Sequence, residues 1–193
     1  MSTTLTPSAT DIRTTWRIDP AHTQVEFAVR HLMISTVRGR FSDVSGSVSV
    51  PDGDFSRAEV EATIGVGSID TREPQRDAHL VSPDFFDAQQ FPSLHFKSRR
   101  VEPSPRDERR FVVEGDLTLH GVTRSVQLVA TVEGQGRDPW GNERTGFSVT
   151  GKISRKEFGL TWNQLLETGG VAVGDEVKIS IDTELVAELA HAA

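Results

Sequence analysis

The sequence predicts an all-β fold, an antiparallel barrel of about eight strands with a helical insertion near residues 72–90. Three observations predict it. Apolar and polar residues alternate with a period of two from Val25 to Leu185, as in Val25-Glu26-Phe27-Ala28-Val29-Arg30, Val60-Glu61-Ala62-Thr63-Ile64 and Val177-Lys178-Ile179-Ser180-Ile181-Asp182. That is the pattern of strands greasy on one face and wet on the other. The period disappears only over Asp70 to Val81. Finally, many one-sided strands in one chain must close or stack, and a barrel of about eight strands removes the edges while leaving room for side chains or one slender ligand.

The elements follow in chain order. Trp16 to Asp19 is a short strand stopped by Pro20, and His22 to Leu32 a long one. Val37 to Phe41 and Val44 to Val50 alternate, with Gly39 and Gly46 where a strand bends or bulges. Pro51-Asp52-Gly53-Asp54 is a turn by composition, and Ala58 to Ser68 is a strand leading into the insertion. Within the insertion a second short helix is expected, with Ser82 as N-cap, Pro83 at its first position and Asp84 on its positive end. Pro92 ends it, and Leu94 to Ser98 resumes strand. Pro103 to Arg110 reads as a charged loop, Phe111 to His120 and Val122 to Val132 as a hairpin about Gly121, and Arg137 to Asn142 as a turn. Thr145 to Ser154 and Glu176 to Val186 complete the set.

With 193 residues the chain is long enough for one domain, expected over 15–187, with a disordered segment at 1–14 and a frayed tail at 188–193. The net charge of −7, with Lys and Arg scattered, argues against nucleic acid. The absence of cysteine removes disulfides, thiol nucleophiles and thiolate metal sites. Met1 to Thr15 lacks the apolar run of a signal peptide, and no stretch is long and apolar enough for a spanning helix, so a soluble, cytoplasmic protein without a transmembrane segment is expected.

Enzyme motifs are missing: no G-x-S-x-G elbow, phosphate loop, dinucleotide fingerprint or H-E-x-x-H occurs. The polar group Arg76-Asp77-Ala78-His79-Leu80 reads as a helix-to-barrel latch or as a rim that receives a ligand headgroup. A zinc site of His31, His79 and Asp77 requires helix and strand to converge, and side chains that cap strands are the simpler reading. Phe85, Phe86, Phe91 and Phe96 are core or cavity wall, which in an incompletely filled barrel are the same surface. In Ser154 to Trp162, Arg155 or Lys156 faces an anionic headgroup while Phe158, Leu160 or Trp162 lines a pocket, or the segment is a strand end bent at Gly159.

Five motifs in order resemble the YceI-like, or polyisoprenoid-binding, proteins. They are W-R-I-D-P-A-H-T-Q-V-E-F-A-V-R-H from Trp16 to His31, V-R-G-R-F from Val37 to Phe41, and R-D-A-H-L-V-S-P-D-F-F-D-A-Q-Q-F-P-S-L-H-F from Arg76 to Phe96. G-D-L-T-L-H-G-V-T from Gly115 to Thr123 and S-R-K-E-F-G-L-T-W from Ser154 to Trp162 complete them. The resemblance implies an extended lipocalin-like barrel that binds a long-chain isoprenoid or other amphiphilic lipid, forms a homodimer and requires no cofactor. Its ligand-binding residues are then Phe27, Val29, Phe41, Leu80, Phe85, Phe86, Phe96, Leu117, Leu119, Leu160 and Trp162, with His31, Asp77, His79 and Arg155 as polar candidates; Ile64 and Phe147, outside the five motifs, are expected to line the pocket beside them. Ser154 and Glu157 stand where the usual pattern has Asn and Asp, and relatives that start with a signal peptide differ from this chain at Met1 to Thr15. Two other functions stay open beside lipid carriage: an enzyme using Asp77 and His79 as acid and base, and a structural barrel with a filled interior.

Overall fold

Eight antiparallel strand positions close around one apolar interior in a computed structural model that describes residues 13–167 and 169–188. The expected disordered start and frayed tail fall, at residues 1–12 and 189–193, outside the described residues; Arg13 and Thr14 already belong to the first strand.

The first three positions are each filled by two segments in line. β1 (Arg13–Ile18) and β2 (Gln24–His31) rise together, joined by a 3-10 turn at Pro20–His22. Pro20 has no N–H for a ladder, and Asp19 caps the turn by accepting from the Ala21 N–H at 3.0 Å. β3 (Ser35–Phe41) and β4 (Val44–Pro51) descend, and β5 (Glu59–Gly65) and β6 (Ile69–Asp70) rise around a 3-10 turn at Val66–Ser68. The helix α1 (Pro74–Leu80) follows, then β7 (Ser93–Ser104), β8 (Asp107–Leu119), β9 (Val122–Arg137), β10 (Glu143–Ser154), a 3-10 turn at Arg155–Phe158, and β11 (Val173–Ala187).

Closure depends on β11. Its start pairs with β2, from Val173↔His31 to Asp182↔Gln24, and its end pairs with β1, from Leu185↔Ile18 to Ala187↔Trp16. The order β1-β4-β5-β7-β8-β9-β10-β11 thereby returns to β1, and β2, β3 and β6 extend the wall upward. The upper end carries the β2–β3 hairpin, α1, the β8–β9 hairpin and the 159–172 loop, whereas the lower end carries the turn before Phe55 and the β7–β8 and β9–β10 hairpins.

Three expectations are corrected. Residues 81–90 form successive turns rather than a second helix. The reason is geometric: the Phe86 N–H bonds the Leu80 carbonyl and the Ala88 N–H the Val81 carbonyl, both at 3.0 Å, which folds the chain back against α1 instead of winding it onward. Pro103 to Arg110 is strand on both sides of a tight turn, with Pro103 opposite Phe111 and its missing donor absorbed at a register shift beside Ser104. The ladder also runs unbroken through Gly39 and Gly46, so neither is a bulge. The wide shifts lie elsewhere, at Ser98/Arg100, Gly146/Phe147 and Val173/Val177.

Candidate functional site: a cavity along the barrel axis

Alternation along each strand lines the interior. β8 contributes Phe111, Val113, Leu117 and Leu119; β9 contributes Val126, Leu128 and Ala130; β11 contributes Val177, Ile179, Ile181, Thr183 and Leu185. A continuous cavity of about 290 Å³ runs between them. Phe111 and Leu119 both line it eight residues apart, which at roughly 3.3 Å per residue makes the cavity long and thin.

Two wall residues explain why the interior is not filled. The Phe27 ring lies against Gly39 on the next strand, where a Cβ would come within 2.3 Å of it, and the Phe96 ring lies against Gly115, where a Cβ would come within 2.5 Å. Each ring lies flat on the wall because its neighbour has no side chain, and the axis stays open.

The lower end is shut by aromatics. Asp54 caps the 3-10 turn Phe55–Arg57, accepting from the Ser56 N–H at 2.8 Å, and so aims Phe55 inward. Its ring stands 5.8 Å from Phe147, 6.4 Å from Phe111 and 6.5 Å from Trp16. The upper end is roofed by Leu80, Phe85 and Phe86 from the insertion, with Phe86 edge-on to Phe41 at 6.1 Å.

Of the 38 residues that line the cavity, only Thr23, Glu26, Arg155 and Thr183 are polar. The hydroxyls of Thr23 and Thr183 bond each other at 2.7 Å, and Glu26 is exposed to solvent. Arg155 is 3 % exposed, and its guanidinium donates to four main-chain carbonyls: Leu160 at 2.5 Å, Gly174 at 2.8 Å, Trp162 at 2.9 Å and Val173 at 3.2 Å. Burial lowers its affinity for the proton, with Asp175 opposing that shift from a distance. Arg155 therefore folds the 159–174 segment over the upper end and offers the cavity little more than its methylene stem.

Thirteen of the residues named from sequence line this cavity: Phe27, Val29, Phe41, Ile64, Leu80, Phe85, Phe86, Phe96, Leu117, Leu119, Phe147, Arg155 and Leu160. His31, Asp77, His79 and Trp162 are placed elsewhere. Asp77 accepts from the Thr71 N–H at 2.9 Å and from its hydroxyl at 2.5 Å, while Arg76 donates to the Thr71 hydroxyl and carbonyl, both at 2.7 Å. Arg76 and Asp77 are thus the latch between α1 and the barrel, and Thr71, 5 % exposed, is its socket. His79 turns to the Asp84 carboxylate at 2.9 Å and lies edge-on to Phe85 at 5.1 Å and Trp162 at 4.9 Å. Asp77 and His79 have separate partners, as residues two apart on a helix do, and do not form a pair. His31 ends β2, paired with Ser35 and Val173.

Among the described residues one group of acids and histidine is close enough to hold a metal, Asp19, His22 and Glu184, and it does not include His31, His79 or Asp77. A cation is already there. Arg144 Nη1 lies 2.7 Å from Asp19 Oδ2 and 2.9 Å from Glu184 Oε2, while its Nε lies 3.0 Å from Asp138 Oδ2. Sequence reading missed this cluster, because 125 residues separate Arg144 from Asp19 and nothing local marks the pairing. It also missed Phe55 and much of the β9 and β11 lining, which the two-residue period alone identifies.

The YceI-like domain family matches residues 16–185. A UPF0312 protein of Staphylococcus aureus (strain USA300) is 38% identical over 172 residues, covering 89% of this chain and 96% of that protein. Among solved structures, a Campylobacter jejuni YCEI protein superposes with a TM-score of 0.68 at 30% identity, over 83% of this chain and 90% of its own. Burkholderia cenocepacia BcnA superposes at 0.74 with 23% identity, over 86% and 98% of the two chains. A polyisoprenoid binding domain from Saccharophagus degradans gives 0.65 at 14% identity, over 90% and 98%. At those two identities the likeness is one of fold. The barrel fold agrees with these matches, and the chain belongs to the YceI-like domain family.

Proposed function

We propose that this protein binds a long-chain apolar or amphiphilic lipid, of the polyisoprenoid or prenyl quinone class, lengthwise inside the barrel without chemically changing it. The carrying observation is the thin cavity of about 290 Å³ with four polar residues among its 38, none of which turns a free polar group inward. Each methylene moved from water into such a lumen contributes about 0.8 kcal/mol, so affinity grows with tail length and depends little on headgroup. A polar head has no partner in the lumen and stays at the upper rim. The fold shared with a polyisoprenoid binding domain supports the reading. A homodimer and a cytoplasmic location complete the proposal.

Lipid extraction from protein purified out of its own host, followed by mass spectrometry, is the direct test, with prenols of increasing length as added ligands. Ala130→Phe provides the control, because Ala130 lines the cavity between its ladder partners Phe111 and Val149. The new ring blocks the lower lumen, so long prenols weaken by about tenfold or more while short ones bind as before. An empty wild-type barrel that also refuses prenols and prenyl quinones of every length overturns the proposal.

A further inference from the structure

We infer that the upper end of the barrel docks on the surface of an anionic lipid bilayer, through the tips of the β2–β3 hairpin and of the neighbouring 164–172 loop. Among the described residues the large apolar side chains left exposed are Met33 at 57 %, Ile34 at 80 %, Leu165 at 83 % and Trp140 at 82 %. Trp140 stands alone on the lower end, whereas the other three share the upper end. Their loops are side by side: the Leu32 N–H bonds the Ala172 carbonyl at 2.8 Å, the Ala172 N–H bonds the Gln164 carbonyl at 2.9 Å, and Leu165 bridges to Val171.

Backbone conformation sets this hairpin apart. The Ile34 N–H closes a turn onto the His31 carbonyl at 3.1 Å, with Leu32 at φ 50° and Met33 at φ 60°. Two consecutive left-handed residues are the geometry that Asn and Gly occupy without strain, and bulky L residues there crowd Cβ against the following carbonyl oxygen. The β8–β9 hairpin meets the same demand with His120 at φ 52° and Gly121 at φ 72°. In the β2–β3 turn local preference does not account for Leu32 and Met33 in this conformation, and packing within the chain does not cover Met33 or Ile34, which fits a contact outside the chain.

Charge identifies the occupant. In a protein of net charge −7, residues 30–42 carry Arg30, Arg38, Arg40 and His31 and no acid. Arg40 is paired with Asp70 at 2.9 Å, but Arg30 is exposed beside the tip, bracing it by donating to the Met33 carbonyl at 2.6 Å, and Arg38 is exposed lower on β3, opposite Ala28. Glu167, on the second loop, is the one acid between Arg155's partner Leu160 and Ala172. Apolar tips flanked by arginines match a bilayer with anionic headgroups, where the side chains enter the acyl boundary and the guanidiniums meet phosphate. The site adjoins the lumen, since Val29 and Val173, which line the upper cavity, lie in the strands that carry the two loops. Docking there sets the rim against the phase in which long-chain lipids reside. The inference takes its purpose from the proposed lipid cargo and its chemistry from these loops alone.

Flotation with phosphatidylcholine vesicles, with and without phosphatidylglycerol, tests it, comparing the wild type with the triple variant Met33→Asp, Ile34→Asp, Leu165→Asp. All three side chains are exposed, so the variant keeps its core. The wild type floats with the mixed vesicles and more weakly with phosphatidylcholine alone; the variant loses about tenfold or more of that binding. Both proteins load a prenol delivered from ethanol without vesicles. Wild type that loads prenol yet does not float overturns the docking and leaves the cargo reading intact. Wild type that floats but takes no prenol supports the docking and removes the cargo. A variant that floats as well as wild type while sedimenting as a smaller species overturns the inference, showing that the tips bind a second copy instead.

Discussion

The barrel is held at each end by an arginine, and the two are held in opposite ways. At the lower end Arg144 joins Asp19 before Pro20, Asp138 in the β9–β10 hairpin and Glu184 on β11. Hydrogen bonds to Asp19 and then Asp138 push its affinity for the proton up. At the upper end Arg155 meets no carboxylate at ion-pair distance among the described residues and is surrounded by carbonyls, with burial pushing its affinity for the proton down. The first arrangement is electrostatic, part-buried with Glu184 at its wetter edge, and tunable by acid and salt. The second is a main-chain cage that holds a long segment in one shape whatever the solution. The difference suits the ends they serve: the lower end is a permanent floor, and the upper end carries the long 159–172 segment beside the lumen.

The largest effect is expected at the upper end. Arg155→Met keeps the apolar stem but leaves four carbonyls without their donor, at a cost of about 3 kcal/mol or more in denaturant unfolding, unchanged by salt. Faster proteolysis within 159–172 accompanies it. A loss that shrinks in high salt shows the cage to be an ion pair after all. Arg144→Met is expected to cost less, on the order of a few degrees in Tm, because its carboxylates retain some access to water; this loss does shrink with salt.

Acid separates the two ends further. The Asp19 carboxyl is held at about 2 instead of 3.8, first by Arg144 and then by His22, and Asp138 is also lowered, first by Asn142 and then by Arg144. A lowered carboxyl gives stability that is complete above its unfolded-state value and is lost as pH falls through the folded one. The lower cluster therefore weakens from about pH 4 down to about pH 2. Urea midpoints of wild type and Arg144→Met converge over that window, whereas those of wild type and Arg155→Met keep their separation. Convergence of the second pair as well contradicts the assignment of acid sensitivity to the lower end.

What could be read from sequence divides along the same line. The barrel, its insertion and most of the lumen wall follow from a period of two, which is local and survives any closure of the sheet. Tight motifs such as Arg76 to Phe96 point to Leu80, Phe85, Phe86 and Phe96, which line the cavity. Side-chain aim was not legible. Polar residues near an apolar interior make Asp77, His79 and Arg155 headgroup candidates by residue type, whereas in the structure each bonds a partner within the chain: Thr71, Asp84 and four carbonyls. A hydrogen bond to a distant main-chain atom leaves no trace in residue type. For the same reason Arg144, the hub of the lower end, resembled any strand-edge arginine.

The smallest effect lies one residue from that hub. Thr145 is fully buried, and its hydroxyl is the buried side-chain polar atom, among the described residues, that lacks a partner. β10 turns Arg144 toward its carboxylates and Thr145 to the opposite face, opposite Leu185 and Gln135, so the cluster cannot reach the hydroxyl. Thr145→Val keeps the shape and removes the stranded group, and is expected to raise unfolding stability by about 1 kcal/mol with the lumen and the acid response unchanged. A loss of stability on that substitution would mean the hydroxyl is satisfied in solution, placing water inside the lower wall and making the floor of the lumen wetter than its aromatic lining implies.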